Sequence, residues 1–171
     1  NTHQRHLWPG INIANDKNIL VNNIEVVNEI MITRGMLPKS PGTVHWSMSA
    51  LTKNPSLTKE LKDGVYKQPA LVPASPWLDH IAPKPPEVFL GDQNDSLLVR
   101  WTSKEHDVFK WVLYYQYENK WEQRIFNKDE TETIINLYNN KQPEPSKLKY
   151  IIVTAIDRTG NESIQKPVAI N

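Results

Sequence analysis

The stretch PALVPASPWLDHIAPKPP, residues 69–86, decides how this chain is organised. It holds Pro69, Pro73, Pro76, Pro83, Pro85 and Pro86, six of the 13 prolines. Each proline fixes φ and removes an amide donor, so no helix crosses the stretch and a central strand there would lose ladder hydrogen bonds. Proline-rich backbone of this kind is extended and semi-rigid. The sequence therefore places a boundary at about Asp79 to Lys84, with one domain over residues 1–80 and another over 81–171. Two small domains fit a length of 171 residues. Only 6 glycines accompany the 13 prolines, which argues for rigid connections between ordered elements rather than low complexity.

Upstream of the boundary, strand and helix alternate. Residues 6–12 (HLWPGIN) begin with a short apolar segment. Asn15 or Asp16 suits an N-cap, and Leu20, Ile24, Val27 and Met31 follow at spacings of four, three and four, one helical face. Gly35 suits the helix C-terminus and Pro38 prevents continuation. Thr43–Met48 is the next strand candidate. Asn54-Pro55 offers a cap and a first-turn proline, Leu57 and Leu61 share a face, and Gly64 ends that helix. The order β-α-β-α is the signature of parallel α/β architecture.

Downstream the period changes to two. Residues 96–102, 108–117, 120–126, 131–137 and 148–156 read as strands rich in β-branched and aromatic residues. Glu118-Asn119 makes a tight turn, and Pro143 and Pro145 mark another connection. Short strands regularly spaced between turns predict an all-β sandwich.

Composition narrows the function. The 20 basic and 19 acidic residues leave a net charge of +1, which argues against a nucleic-acid binder. There is no cysteine, which excludes disulfides, thiolate metal sites and cysteine nucleophiles. No apolar run reaches the length of a membrane span, and residues 1–20 contain no signal-peptide apolar core. His3 and His6 are spaced for a helix face, but lie on a predicted strand with no third ligand nearby, so no metal site is expected. Neither a G-x-S-x-G nucleophile turn nor a glycine-rich phosphate loop is present, and no cofactor is expected.

Two resemblances add to this reading. Residues 84–171 resemble a fibronectin type III-like domain through Pro85-Pro86, Trp101, the Trp111/Tyr114/Tyr115 cluster and the series Tyr150, Val153, Ala155, Asp157, Gly160, Asn161 and Ser163. Residues 6–12 (HLWPGIN), 24–51 (IEVVNEIMITRGMLPKSPGTVHWSMSAL) and 66–79 (YKQPALVPASPWLD) resemble the C-terminal end of the glycosyl hydrolase-like 10 family. These are bacterial (β/α)8-barrel proteins, often exported lipoproteins of Bacteroidetes, some with a sandwich after the barrel. The resemblance implies that 6–12 and 43–51 are the last two barrel strands. It also implies a cell-surface or periplasmic location, and a parent protein acting on a polysaccharide or cell-wall glycan. A full barrel needs about 250 residues, so the expected fold is an α/β fragment, the last two βα units of a barrel, followed by a fibronectin type III-like sandwich. Two such units cannot close a barrel. Residues 1–80 are then expected to pack on the sandwich, to be completed by the missing barrel portion or a second copy, or to be partly disordered.

Barrel active sites lie at the C-terminal ends of the strands. On that basis His6, Trp8, Asn12, His45 and Trp46 are the candidate glycan-binding residues, the tryptophans stacking on sugar rings and the others hydrogen-bonding hydroxyls. Glycoside hydrolysis normally uses two carboxylates. Glu25, Glu29, Glu60 and Asp63 fall on predicted helices, Asp16 reads as a cap, and neither strand motif contains an acid. The chain is therefore expected to lack the catalytic carboxylates and to hydrolyse nothing alone. The alternative is a non-catalytic, adhesion-type module binding protein or glycan. It calls for an exposed aromatic row on the third sandwich strand, either Trp111 with Tyr115 or Val112 with Tyr114.

Overall fold

Gly10–Asn12 (β1) and Val44–Trp46 (β2) pair in parallel, Gly10 with Val44, Ile11 with His45 and Asn12 with Trp46. A parallel pair needs a long crossover, and Asn23–Met36 (α1) lies within it. Met48–Lys53 (α2) and Pro55–Asp63 (α3) follow β2. These elements come from a computed structural model that describes residues 5–14, 22–38, 42–140 and 145–170. They belong to the first of two compact units, residues 1–73; the second spans residues 74–171.

The first unit buries Ile11, Ile13, Val26, Ile30, Leu57 and Leu61 together. Asn54 caps α3, its carboxamide oxygen accepting from Leu57 N–H at 3.1 Å, and Pro55 opens the helix as expected. The α1 helix differs from expectation. Its cap is Asn22, which accepts from Ile24 N–H at 3.0 Å, while Asn15, Asp16 and Leu20 lie outside the described residues. Gly35 stays inside the helix, which runs on to Met36. The buried residues are Val26 and Ile30, with Val27 of the expected face packed partly buried against them, whereas Ile24 and Met31 are 65% and 53% exposed. The cause is that the apolar residues of α1 are spread around its circumference between polar ones, so spacing alone does not select a face. The second predicted strand also shortens, because Met48–Lys53 turns helical directly after Ser47.

The second unit contains Glu87–Gln93 (β3), Ser96–Thr102 (β4), Lys110–Tyr117 (β5), Lys120–Asn127 (β6), Glu132–Asn136 (β7), Tyr138–Asn139 (β8), Ser146–Ile156 (β9) and Val168–Ala169 (β10). One antiparallel sheet runs β3-β4-β7 and the other β10-β9-β5-β6, with β8 beside β9. Trp101 from β4, Leu113 and Tyr115 from β5, Ile135 from β7 and Val153 from β9 share one core, so the two sheets face each other as a sandwich. Trp101 meets Trp111 edge-on at 6.5 Å and Phe126 at 5.2 Å between ring centroids. The Glu118-Asn119 turn forms as read, with Glu118 in the left-handed region at φ 49°, and Asn94 does the same in the β3–β4 turn at φ 51°. Pro143 lies outside the described residues.

The loop after β9 organises the start of this unit. The Asp157 carboxylate is buried and accepts from the backbone N–H groups of Thr159 and Asn161, the Thr159 hydroxyl and the Asn161 side chain, at 2.8–2.9 Å. Asn161 Nδ2 also donates to the Asp79 carbonyl at 3.1 Å, and Ser75 N–H donates to the Thr159 carbonyl at 2.7 Å. Part of the proline-rich stretch is thereby tied down by the Asp157–Asn161 turn, where Gly160 takes φ 84°.

Candidate functional site

Side chains alternate across a strand, and register partners in a parallel pair share a face. Ile11 and His45 therefore face the same way, and Ile11 packs in the core with the helices. Gly10, Val44, Asn12 and Trp46 face the other way. Trp46 is 71% exposed and Val44 is exposed as well. At the C-terminal ends of both strands, Asn12 and Trp46 stand side by side on this open face.

The pair is held by backbone. Ile13 N–H donates to the Trp46 carbonyl at 2.8 Å, and the Asn12 side-chain oxygen accepts from Ala14 N–H at 3.0 Å. These bonds fix the backbone of Trp46 and the carboxamide of Asn12, and leave the Trp46 indole exposed beside the Asn12 amide donors. The Trp46–Ser47 peptide is cis. An indole face with an amide donor beside it is suited to a sugar ring, the apolar C–H face on the aromatic and a hydroxyl on the amide.

The other candidate residues occupy different places. His45 faces the helix layer, where its Nε2 lies 2.6 Å from the Tyr66 hydroxyl, which also contacts Thr43 Oγ1 at 3.0 Å. Arg34 sits over the Tyr66 ring, 5.4 Å from its centroid, and donates to the Val65 carbonyl. Burial pushes the His45 imidazole below its ordinary pKa, and its Nδ1 is buried without a hydrogen-bond partner. His6 and Trp8 precede β1, because the strand begins only at Gly10. Their rings stack at 5.9 Å, His6 Nε2 lies 3.1 Å from the Pro73 carbonyl, and Trp8 covers Gly42 so closely that a Cβ there would fall 2.8 Å from the indole. The structure thus brings Asn12 and Trp46 together, places His6 and Trp8 at the opposite strand ends, and turns His45 to the helix side. Tyr66, the hub of the His45 contacts, was not anticipated; it lies just past the α3 stop with no periodic pattern to mark it.

Among the described residues of this unit, the acids Glu25 and Glu29 lie on α1 and Glu60 and Asp63 on α3, and none lies on β1 or β2. Asp63 is an exposed ion-pair partner of Lys59. No group of three or more His, Asp or Glu among the described residues could hold a metal ion. No helix among them is long and apolar enough to cross a membrane.

On the sandwich, neither face of β5 is an exposed aromatic row. Trp111, Leu113 and Tyr115 are in the core, and on the opposite face Val112 is fully buried while Tyr114 donates to Glu162 at 2.8 Å. Thr154 donates to the same Glu162 oxygen at 2.7 Å. Burial, with the Glu162 carboxylate adding to it, pushes the Tyr114 phenol far up.

A protein of Bacillus subtilis (strain 168), glycosyl hydrolase YngK, is 32% identical to this chain over 145 residues, covering 81% of the chain and 28% of YngK. The chain is related in sequence to a glycosyl hydrolase. It spans under a third of that relative's length. No protein-family model matches. Among solved structures, the Clostridium perfringens spore cortex lytic enzyme SleM is similar over 53% of this chain and 29% of its own, at 17% identity and TM-score 0.41. The fibronectin type III domain of human collagen XX is similar over 59% of this chain and 100% of its own, at 17% identity and TM-score 0.40.

Proposed function

We propose that this chain is the C-terminal portion of an exported bacterial glycoside hydrolase that acts on a polysaccharide or cell-wall glycan. Residues 1–73 supply the last two βα units of its (β/α)8 barrel, and a fibronectin type III-like sandwich follows and braces it. The observation that carries the reading is the Trp46–Asn12 pair, exposed at the C-terminal ends of two parallel strands, where barrel enzymes place substrate. Three further observations support it: the relationship to YngK, the exposed Val44 on the same strand face, and the exposed apolar residues around α1, which suit a face covered by more barrel. In this role Trp46 is a sugar-stacking platform and Asn12 a hydroxyl ligand, while the two catalytic carboxylates belong to strands outside this chain.

The test is hydrolysis of a glycan panel by a longer protein that completes the barrel, with the 171-residue chain assayed beside it. The longer protein is expected to cleave at least one polysaccharide, and the short chain none. Trp46→Ala in the longer protein should reduce kcat/KM by about tenfold or more, the equivalent of ~1.4 kcal/mol of lost transition-state binding. Turnover by the short chain, or full activity of Trp46→Ala, contradicts the assignment.

A further inference from the structure

We propose that the sandwich carries its own saccharide subsite, a groove between the β6 edge and the β7–β8 margin that receives one residue of an uncharged glycan. The groove holds about 270 Å³ and is lined by Tyr115, Glu122, Arg124, Ile134, Asn136 and Tyr138 among others. Its position follows from the strand order. β6 ends one sheet and β7 the other, so the inner face of β6 continues past the cover of the opposite sheet. Glu122 and Arg124 stand opposite Tyr115 and Leu113 in the β5–β6 register and therefore share the core-facing side. Polar heads occupy the positions where a closed sandwich would place apolar ones.

These heads are fixed before any ligand arrives. The Arg124 guanidinium sits 5.4 Å from the Tyr115 ring centroid and donates to the Ile134 carbonyl at 3.3 Å. The Tyr115 hydroxyl donates to Glu122 at 3.1 Å, and the Tyr117 hydroxyl to the Asn136 carbonyl at 2.6 Å. Burial pushes the Tyr115 phenol up, with Arg124 opposing and Glu122 adding, so it remains a donor at neutral pH. A carboxylate offers about four acceptor sites and a guanidinium five donors, so both keep capacity for a ligand after these bonds. Held in this way they lose little entropy on binding.

The ligand class follows from three properties. A carboxylate and a guanidinium side by side match neighbouring hydroxyls, which both accept and donate. Tyr138, 46% exposed at the rim, supplies an aromatic surface for the C–H face of a ring. The charged lining residues are one Glu and one Arg, which offset each other, while Lys120, 3.8 Å from Glu122 Oε1, lies outside the lining with its ammonium in solvent, where salt screens it. The choice of a glycan among uncharged polyols rests on the reading of the whole protein given above; the groove itself does not depend on the barrel.

The experiment is an NMR titration of the isotope-labelled 171-residue chain with cellohexaose and with chitohexaose, using tetragalacturonate as the charged control. At least one neutral oligosaccharide at millimolar concentration should shift the resonances of Glu122, Arg124, Asn136 and Tyr138. Tyr138→Ala and Arg124→Gln should each weaken that binding by about tenfold or more, equivalent to ~1.4 kcal/mol. Trp121→Ala, on the opposite face of β6, should leave it unchanged. A dispersed spectrum in each variant shows that it is folded. The proposal is overturned if neither neutral sugar shifts the groove, if tetragalacturonate binds there more tightly than both, or if Trp121→Ala alone removes binding. Because no hydrolysis is read, a groove that binds sugar beside an inactive longer protein overturns only the enzyme assignment, and the reverse overturns only the groove.

Discussion

Asp157 shows how one side chain can organise its surroundings. Burial alone would push its carboxyl up, but the hydrogen bonds from Asn161 and Thr159, side chain and backbone, together outweigh burial and hold it below the ordinary aspartate value. A carboxyl depressed in the folded state contributes stability above the unfolded value of about 3.9. That contribution is lost as pH falls through the folded pKa. Asp157→Ala leaves the backbone N–H groups of Thr159 and Asn161 without their acceptor, and should cost about 2–4 kcal/mol in urea unfolding at pH 7. The difference between wild type and variant should shrink below about pH 4, where the carboxyl of the unfolded chain begins to bind protons, and vanish once the pH has fallen through the lower folded value. The same variant should loosen residues 75–79, read as faster amide exchange at Ser75, because the turn that holds their backbone is gone. An Asp157→Ala variant as stable as wild type at pH 7 would show that the turn is held by its backbone alone.

At the level of elements, legibility in the sequence depended on how unambiguous each pattern was. Strands β4 to β7 and β9 were readable because alternation marks an inner face, as with Leu97, Val99 and Trp101 on β4, whereas β3 was not, since none of its residues is fully buried. The two stops of α3 were readable because Asn54-Pro55 and Gly64 act locally. The buried face of α1 was not, since apolar residues spread around a helix offer several faces at helical spacing and only tertiary contacts choose between them. The site divides in the same way. Trp46 and Asn12 stand together at strand ends, where parallel sheets bind ligands, but His45 sits one residue from Trp46 and therefore faces the other layer. The Glu122–Arg124 groove was missed although its spacing of two, opposite Tyr115 and Leu113, was readable; a charged pair on an aromatic inner face is the signal that marks it. In the 171-residue chain, Val26→Ala and Ile30→Ala should each speed amide exchange along α1 by about tenfold or more, because both side chains are buried in the cluster of the first unit. Ile24→Ala and Met31→Ala should change it by less than about threefold, since both are exposed. If the barrel reading holds, the last two changes become costly in the longer protein, where neighbouring elements cover α1.

At the scale of the molecule, the two units differ in how completely each closes its own core. The sandwich draws its core from both sheets, includes Trp101, Trp111, Tyr115 and Tyr117 in it, and fills the outer face of β5 with Val112. The first unit buries six apolar side chains in its cluster and leaves Ile24, Met31, Ile32, Met36, Val44 and Trp46 exposed. A domain of this size buries a smaller fraction of its surface than a larger one and has little margin to lose. A parallel two-stranded sheet also needs both faces covered. Residues 74–171 expressed alone should therefore fold cooperatively, with near-ultraviolet circular dichroism from the packed tryptophans and a single urea transition. Residues 1–73 expressed alone should give no cooperative transition and should associate or bind a hydrophobic dye through their uncovered faces. A monomeric, cooperatively unfolding 1–73 segment would mean that this unit is self-sufficient and needs no further barrel to complete it.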